Sequence, residues 1–284
     1  MNAPERLREL LAGNQLIVAP GVFDGISAAL VAKLGFTAAY MTGAGVSASY
    51  GLPDIGLLTL TEMADRARLL AGLLDVPLIA DADTGYGSPI NAVRAVRAYE
   101  RAGVAAIQLE DQVFPKRCGH LAGKGVVDSE TFALTLGAAL DAREEMLIVA
   151  RTDALAVHGL DEAIARAVRY AELGADVIFV EAPGSEQEIE RIAAEIDAPL
   201  LLNYVPGGRT PQLPPARLTE LGIKIAIHPG AVMMTMIPAA VQSLAALRPE
   251  ATAGESEVSP EAFFDLFGLS EWMELGQRYD GRET

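Results

Sequence analysis

The chain has 284 residues and a formal net charge of −16, with 51% of residues apolar and 21% charged. It can fill one large domain or two smaller ones, and wholesale disorder is excluded. The negative balance argues against sequence-independent binding to nucleic acid or anionic lipid, while a local basic site for a small anionic substrate stays open. A single cysteine excludes an intrachain disulfide framework and a cysteine-cluster metal site, and fits a reducing cytoplasm.

The opening MNAPERLRELLAG reads as a short amphipathic helix, without the basic start and apolar run of a signal peptide. No stretch is apolar over the roughly 18 residues that a membrane span needs. A unit then repeats along the chain: a short β-rich run, a polar or glycine-containing loop, and a helical pattern. The runs are QLIVAP, TAAYMT, VPLIADAD, AAIQLED, MLIVARTD, DVIFVEA, PLLLNY and IKIAIHP. Helical spacing follows in TLTEMADRARLLAGLL, NAVRAVRAYERAG, LDEAIARAVRYAELG and SEQEIERIAAEI, several of them ending in glycine or an acidic cap.

Continuous apolar runs of this length suit strands buried on both faces, and their alternation with helices implies a parallel sheet. Eight such units over residues 1–248 predict an α/β fold of the (β/α)8 barrel type, with a doubly wound open sheet as the alternative. In AVMMTMIPAAVQSLAAL the methionines and alanines read as core, with a kink at Pro238. Residues 249–284 read as a linker, PEATAGESEVSP, followed by a helical extension carrying Phe263, Phe264, Phe267 and Trp272. So aromatic a helix must bury itself against its own barrel or a neighbouring subunit.

Barrel enzymes build their sites at the C-terminal ends of the strands. Here Tyr40 and Thr42 end the second run, Asp81 and Asp83 the third, and Glu110 and Asp111 the fourth. Arg151 and Asp153 end the fifth, Glu181 the sixth, Asn203 the seventh and His228 the eighth. Asp81 and Asp83, two apart on a strand, are expected to share a face. Like carboxylates facing one space repel unless a cation intervenes, and Glu110 can join them. Without a Cys or His cluster, a hard ion such as Mg²⁺ fits better than Zn²⁺. The blander alternative has one aspartate capping a helix or bonding the Gly85–Gly87 loop.

In TGAGVSASYG, Thr42 to Gly51, the glycine spacing is not that of a dinucleotide site, and small residues instead let backbone N–H groups approach an anion. Arg151 has the fork to hold a carboxylate, and the alternative, an internal ion pair with Asp153 or Glu181, can coexist with that role. His158 reads as a surface residue, and His228 as either a structural histidine or a ligand contact. Cys118 lies in FPKRCGHLAGKG, after the fourth strand, among Lys116, Arg117, His120 and Lys124. Nearby cations lower a thiol's pKa, and Gly119 and Gly123 permit a mobile lid, although an inert cysteine beside a basic patch has the same composition.

The segment Lys116-Arg117-Cys118-Gly119-His120 resembles the signature of the isocitrate lyase and phosphoenolpyruvate mutase superfamily. The match extends through TGAGVSASYGLPDIG, DADTGYG, LEDQVFPKRCGH, VARTDA, VEA and NYVPGGRTP, in order from about Val18 to His228. The branch it is most similar to holds 2-methylisocitrate lyase, 2,3-dimethylmalate lyase and oxaloacetate hydrolase, with carboxyphosphonoenolpyruvate phosphonomutase also similar. The resemblance implies an Mg²⁺ enzyme, with Mn²⁺ as a substitute, acting on a small anionic 2-hydroxy or 2-oxo acid. It implies metal positions at Asp81, Asp83 and Glu110, and substrate contacts at Thr42, Gly43, Ala44, Asp54, Arg151, Glu181 and Asn203. Cys118 matches the lyases' catalytic thiol, with Glu110, Tyr40, Arg151 and His120 completing the catalytic set and Tyr40 or a metal-shell water as the base.

The resemblance further implies a cytoplasmic homotetramer, a dimer of dimers whose last helices are exchanged between subunits. Pro206 departs from the pattern, because several such lyases carry a glutamate there. The expected activity is cleavage of a substituted malate or 2-methylisocitrate into a 2-oxo acid and a smaller carboxylic acid. The alternatives are oxaloacetate hydrolysis, phosphonate formation and, in another class, 2-oxo-acid binding without turnover.

Overall fold

Each of the eight apolar runs forms a strand: β1 (Ile17–Val22), β2 (Ala39–Met41), β3 (Leu78–Asp81), β4 (Ala106–Glu110), β5 (Leu147–Thr152), β6 (Val177–Val180), β7 (Leu200–Asn203) and β8 (Ile223–His228). All pair in parallel and in sequence order, and β1 also pairs with β8, closing a barrel. The open-sheet alternative is therefore excluded. The computed structural model describes residues 1–117, 119, 123–246, 248 and 269–279.

Around the barrel run α1 (Ala3–Ala12), α2 (Gly25–Lys33), α3 (Gly43–Ser49), α4 (Leu60–Leu73), α5 (Pro89–Ala102) and α6 (Ser129–Ala142). These are followed by α7 (Ala154–His158), α8 (Leu160–Glu172), α9 (Glu186–Glu195), α10 (Pro215–Glu220), α11 (Met233–Ala246) and α12 (Leu269–Tyr279). Local chemistry marks the boundaries. Thr59 and Glu62 form a capping box that opens α4, and Gly103 closes α5 in the left-handed region at φ 83°. Helix α11 continues across Pro238, so the predicted kink does not end it.

Alternation along the strands divides the core in two. Ile79, Ala106, Val149, Phe179 and Leu201 point inward and pack with Leu7 and Leu11 of α1, which plugs the N-terminal end. Ala80, Ile107, Ala150, Ile178 and Leu202 point outward beneath the helices. Because side chains repeat every second residue, the next inward places beyond that apolar layer fall on Asp81, Glu110, Arg151, Glu181 and Asn203. The apolar pattern thus aims the polar strand ends into one barrel mouth.

The boundary placed at residues 248 and 249 lies at the edge of what is described, and Phe263, Phe264 and Phe267 fall outside it. In α12, Leu269 is buried, and Trp272 and Met273 pack against the barrel's outer core of the same chain.

Candidate active site

At the third strand the expected geometry needs correction. Asp81 closes β3 and points inward, but Asp83 lies beyond the strand with φ 48°, so pleat alternation does not place it. The chain turns instead, and the Asp83 backbone N–H donates to Asp81 Oδ1 at 3.0 Å. This turn brings Asp83 to a buried ammonium: Lys116 Nζ lies 2.8 Å from Asp83 Oδ1 and also pairs with Asp54 Oδ1. Burial works against the Lys116 charge, but Asp54, Asp83 and Asp81 outweigh it and hold the pKa well above the usual range. Burial pushes the Asp83 carboxyl up to about 6 and raises those of Asp81 and Glu110, with Lys116 and Arg151 opposing.

A second charged group centres on Arg151. Its Nε and Nη2 donate to Asp153 at 2.8 and 3.1 Å, Nη2 lies 3.0 Å from Glu181 Oε2, and Nη1 lies 3.3 Å from Glu110 Oε2. Its guanidinium also sits 5.1 Å from the Phe179 ring centroid. Arg151 therefore makes the internal ion pairs and also lines the pocket. Asn203 Nδ2 donates to both Glu181 oxygens at 3.3 Å, which orients that carboxylate. Burial opposes ionisation of Asp153, but Arg151 and Lys124, the latter 2.6 Å away, bring its pKa down to about 2.

Sequence reasoning left out Gln108, which joins the two groups. It accepts from the Tyr40 hydroxyl at 2.7 Å and reaches Asp81 and Glu110 with Nε2 at 3.4 and 3.3 Å. Its place two residues before Glu110 on β4 was the available signal, since both face inward. Tyr40 lies in the pocket, where burial and then Asp81 raise its pKa well above the usual value. Lys116 was read only as a loop cation, and nothing in its spacing signals the distant Asp54.

Asp111 and His228 turn out to be structural. Asp111 accepts from Thr152 Oγ1 at 2.7 Å, the Asp153 N–H at 2.9 Å and Arg166 Nη1 at 3.0 Å, tying β4 to α8. His228 is half-buried and stacks on Tyr204, with ring centroids 5.3 Å apart. His158 is exposed at the end of α7.

Tyr40, Thr42, Ala44, Asp54 and Asp81 line one side of the mouth, and Arg151, Glu181 and Asn203 continue it. Thr42 caps α3 through its hydroxyl, 3.3 Å from the Gly45 N–H. A Cβ at Gly43 would collide with Asp81 Oδ2, so only glycine lets this backbone approach the acidic group. The loop after β4 leaves through a narrow neck, with Val113 N–H donating to Gly125 O and Val127 N–H to Asp111 O, each at 2.9 Å. Cys118 and His120 lie outside the described residues. The residues beside the cysteine, Arg117 and Gly119, line the pocket, and a Cβ at Gly119 would meet Arg151 and Glu181. Gln112 anchors the neck, donating to Arg117 O at 2.8 Å and accepting from the Arg117 N–H at 3.0 Å.

The donor chemistry suits a hard cation. Asp54, Asp81, Asp83 and Glu110 are buried carboxylates crowded beside one ammonium. Among the described residues no three such side chains form a ready-made ligand cage. The expected trio Asp81, Asp83 and Glu110 is thus not assembled as one ligand set.

The phosphoenolpyruvate phosphomutase family matches residues 7–248. A 2,3-dimethylmalate lyase of Eubacterium barkeri is 46% identical, over 98% of this chain and 99% of that protein. A 2-methylisocitrate lyase of Aeropyrum pernix is 41% identical, over 94% of this chain and 87% of that protein. Among solved structures, oxaloacetate acetylhydrolase in complex with 3,3-difluorooxalacetate superposes with TM-score 0.85 at 38% identity, covering 100% of this chain and 99% of that one. Phosphonopyruvate hydrolase complexed with oxalate and Mg²⁺ gives TM-score 0.79 at 30% identity, covering 98% and 99%.

Proposed function

Because the chain belongs to the phosphoenolpyruvate phosphomutase family, within the superfamily shared with isocitrate lyase, we propose that it cleaves a carbon–carbon bond in a 2-hydroxy dicarboxylate. The products are a 2-oxo acid and a smaller carboxylic acid. One observation carries this reading: a buried acidic group and an arginine-centred group meet in one barrel mouth, and the residues beside the lone thiol line it too.

Asp81, with Asp83, Glu110 and Asp54 around it, would hold Mg²⁺, which when bound supplies a Lewis acid to the substrate's hydroxyl and adjacent carboxylate. Thr42, Gly43 and Ala44 present the start of α3 to that carboxylate, and Gly43 permits the close approach. The 2-hydroxyl passes its proton to a water held by the acidic group, its oxygen forms the carbonyl, and the C2–C3 bond breaks with the electron pair left on C3 beside the second carboxylate. Arg151 offsets the resulting charge, oriented by Asp153 and Glu181. The Cys118 S–H then delivers a proton to C3. Tyr40 remains a donor to Gln108 and holds the floor of the site.

Supply of 2,3-dimethylmalate, 2-methylisocitrate, isocitrate, citramalate and oxaloacetate with Mg²⁺, reading 2-oxo acid and oxalate, tests the proposal. Pyruvate from a substituted malate is expected, and no 2-oxo acid from any of them sinks it. The likeness to oxaloacetate acetylhydrolase supports a second reading, hydrolysis of oxaloacetate, which oxalate release would establish. Among the described residues no helix is long and apolar enough to cross a membrane. A cytoplasmic homotetramer with exchanged C-terminal helices completes the proposal.

A further inference from the structure

The pocket has two unlike halves. Its charged residues come from the loop that carries Asp54, the ends of β3, β5 and β6, and the loop after β4. Beyond Asn203 at the end of β7, the far wall is Val205, Pro229 and Gly230 after β8, and Met233 and Met234 in the first turn of α11. In a closed barrel of eight strands, β7 stands across from β3 and β8 across from β4, so this wall faces the acidic group over the mouth. Both methionines are buried, and no described residue on this wall is charged. The wall is closely packed: a Cβ at Gly230 would sit 2.7 Å from Met234 Sδ and 3.3 Å from Pro206 Cδ. Pro206 itself is exposed and is not among the residues that line the pocket, so the position that departs from the family pattern makes no direct contact there. Arg117, the cation a further carboxylate would seek, belongs to the opposite loop, where its guanidinium lies against Gly123.

The candidate substrates share the 2-hydroxy acid and a carboxylate on C3, and differ in the other C3 substituent. It is hydrogen in citramalate, methyl in 2,3-dimethylmalate and carboxymethyl in 2-methylisocitrate. With the hydroxy acid held at the β3–β4 side, a C3 substituent directed across the mouth would meet the wall at β7 and β8. A carboxylate there loses its water and meets no cation among the described residues of this wall, whereas an alkyl group gains from burial against adaptable thioethers. Resting on the lyase reading, we propose that Val205, Met233 and Met234 form an alkyl subsite that selects a C3-alkyl 2-hydroxy dicarboxylate over one bearing a third carboxylate.

The test measures kcat/KM for pyruvate formation by the Mg²⁺-loaded enzyme across the hydrogen, methyl, ethyl and carboxymethyl series. A preference of roughly tenfold or more for methyl or ethyl over both hydrogen and carboxymethyl is expected. Met233→Lys should shift the methyl-to-carboxymethyl ratio at least about tenfold toward carboxymethyl. Met233→Ala, the milder change, should move the optimum to a longer alkyl group. Turnover of 2-methylisocitrate by the unaltered enzyme at or above that of 2,3-dimethylmalate overturns the subsite and leaves the lyase reading intact. So does an unchanged ratio in both folded variants. If no member of the series yields pyruvate, the lyase reading falls. Calorimetry on the Mg²⁺-loaded protein then decides the subsite: propionate binding more tightly than succinate upholds it, and the reverse order overturns it.

Discussion

Lys116 Nζ lies 2.8 Å from Asp83 Oδ1, and its other carboxylate partner, Asp54, reaches it from a loop 62 residues earlier. All three side chains are almost wholly enclosed. The ammonium supplies positive charge to an acidic pocket that a divalent ion would otherwise have to neutralise alone. Removing one partner of such a pair leaves uncompensated buried charge, an effect of about 3–5 kcal/mol. We therefore expect Lys116→Met to lower the melting temperature in chelator, and Mg²⁺ to restore more stability to the variant than it adds to the unaltered protein. Thermal unfolding with and without Mg²⁺ reads this directly, and equal Mg²⁺ shifts in the two proteins would refute it.

The acidic group should make turnover dependent on Mg²⁺ or Mn²⁺. Asp81→Asn should reduce activity about a hundredfold or more, since even residues behind the ligands of a metal site contribute 10–100-fold. Full activity after exhaustive chelation would rule out the metal assignment.

Cys118 lies outside the described residues, yet Arg117 and Gly119 on either side of it line the pocket. Cys118→Ser should lower turnover about 10²–10⁴-fold, the usual contribution of a positioned proton donor, while oxalate binding is largely kept. A serine variant with ordinary turnover would exclude the thiol as donor.

Asp153 ionises readily because Arg151 and Lys124 outweigh its burial, so its folded pKa of about 2 lies below the unfolded value. A depressed carboxyl contributes stability that is fully present above about pH 4 and is lost as the pH falls toward 2. At about 1.4 kcal/mol per unit of pKa, the contribution is on the order of 2 kcal/mol. Asp153→Asn should accordingly destabilise the protein at pH 7 and by a smaller margin at pH 2.5. Urea unfolding at both values measures it, and a constant difference would contradict the linkage.

In α12, Trp272 and Met273 pack on the barrel core of the same chain, so a single subunit already covers part of the helix. If such helices are exchanged between subunits, deleting residues from Pro260 onward should lower the mass measured by light scattering. An unchanged mass would argue against exchange.

The eight strands were legible because buried parallel strands need unbroken apolar runs, and period-two alternation then fixes which residue of each strand end faces inward. The strand-end census took in Asp81, Glu110, Arg151, Glu181 and Asn203 together with Asp111 and His228, and the closed barrel sorts them, aiming the first five inward while Asp111 turns to Arg166 and His228 stacks on Tyr204. Alternation failed at Asp83, where the chain leaves the strand into a left-handed turn that has no period to read. The same limit hid the apolar wall, since Val205, Met233 and Met234 come from separate elements whose side chains meet only once β7 and β8 take their places across the barrel.

The amino-acid order thus settled the architecture and the set of strand-end side chains, because both follow from short-range periodicity and from the exclusion of polar groups from a dry interior. Folding in three dimensions settled the pairings. Lys116 finds Asp54, Tyr40 finds Gln108, and Asp111 turns away to Arg166, through contacts between residues far apart in the chain. Such contacts depend on loop paths and barrel closure, and no local pattern encodes them. The lone thiol drew attention by composition, but the buried ammonium two residues before it is what the fold places at the acidic centre.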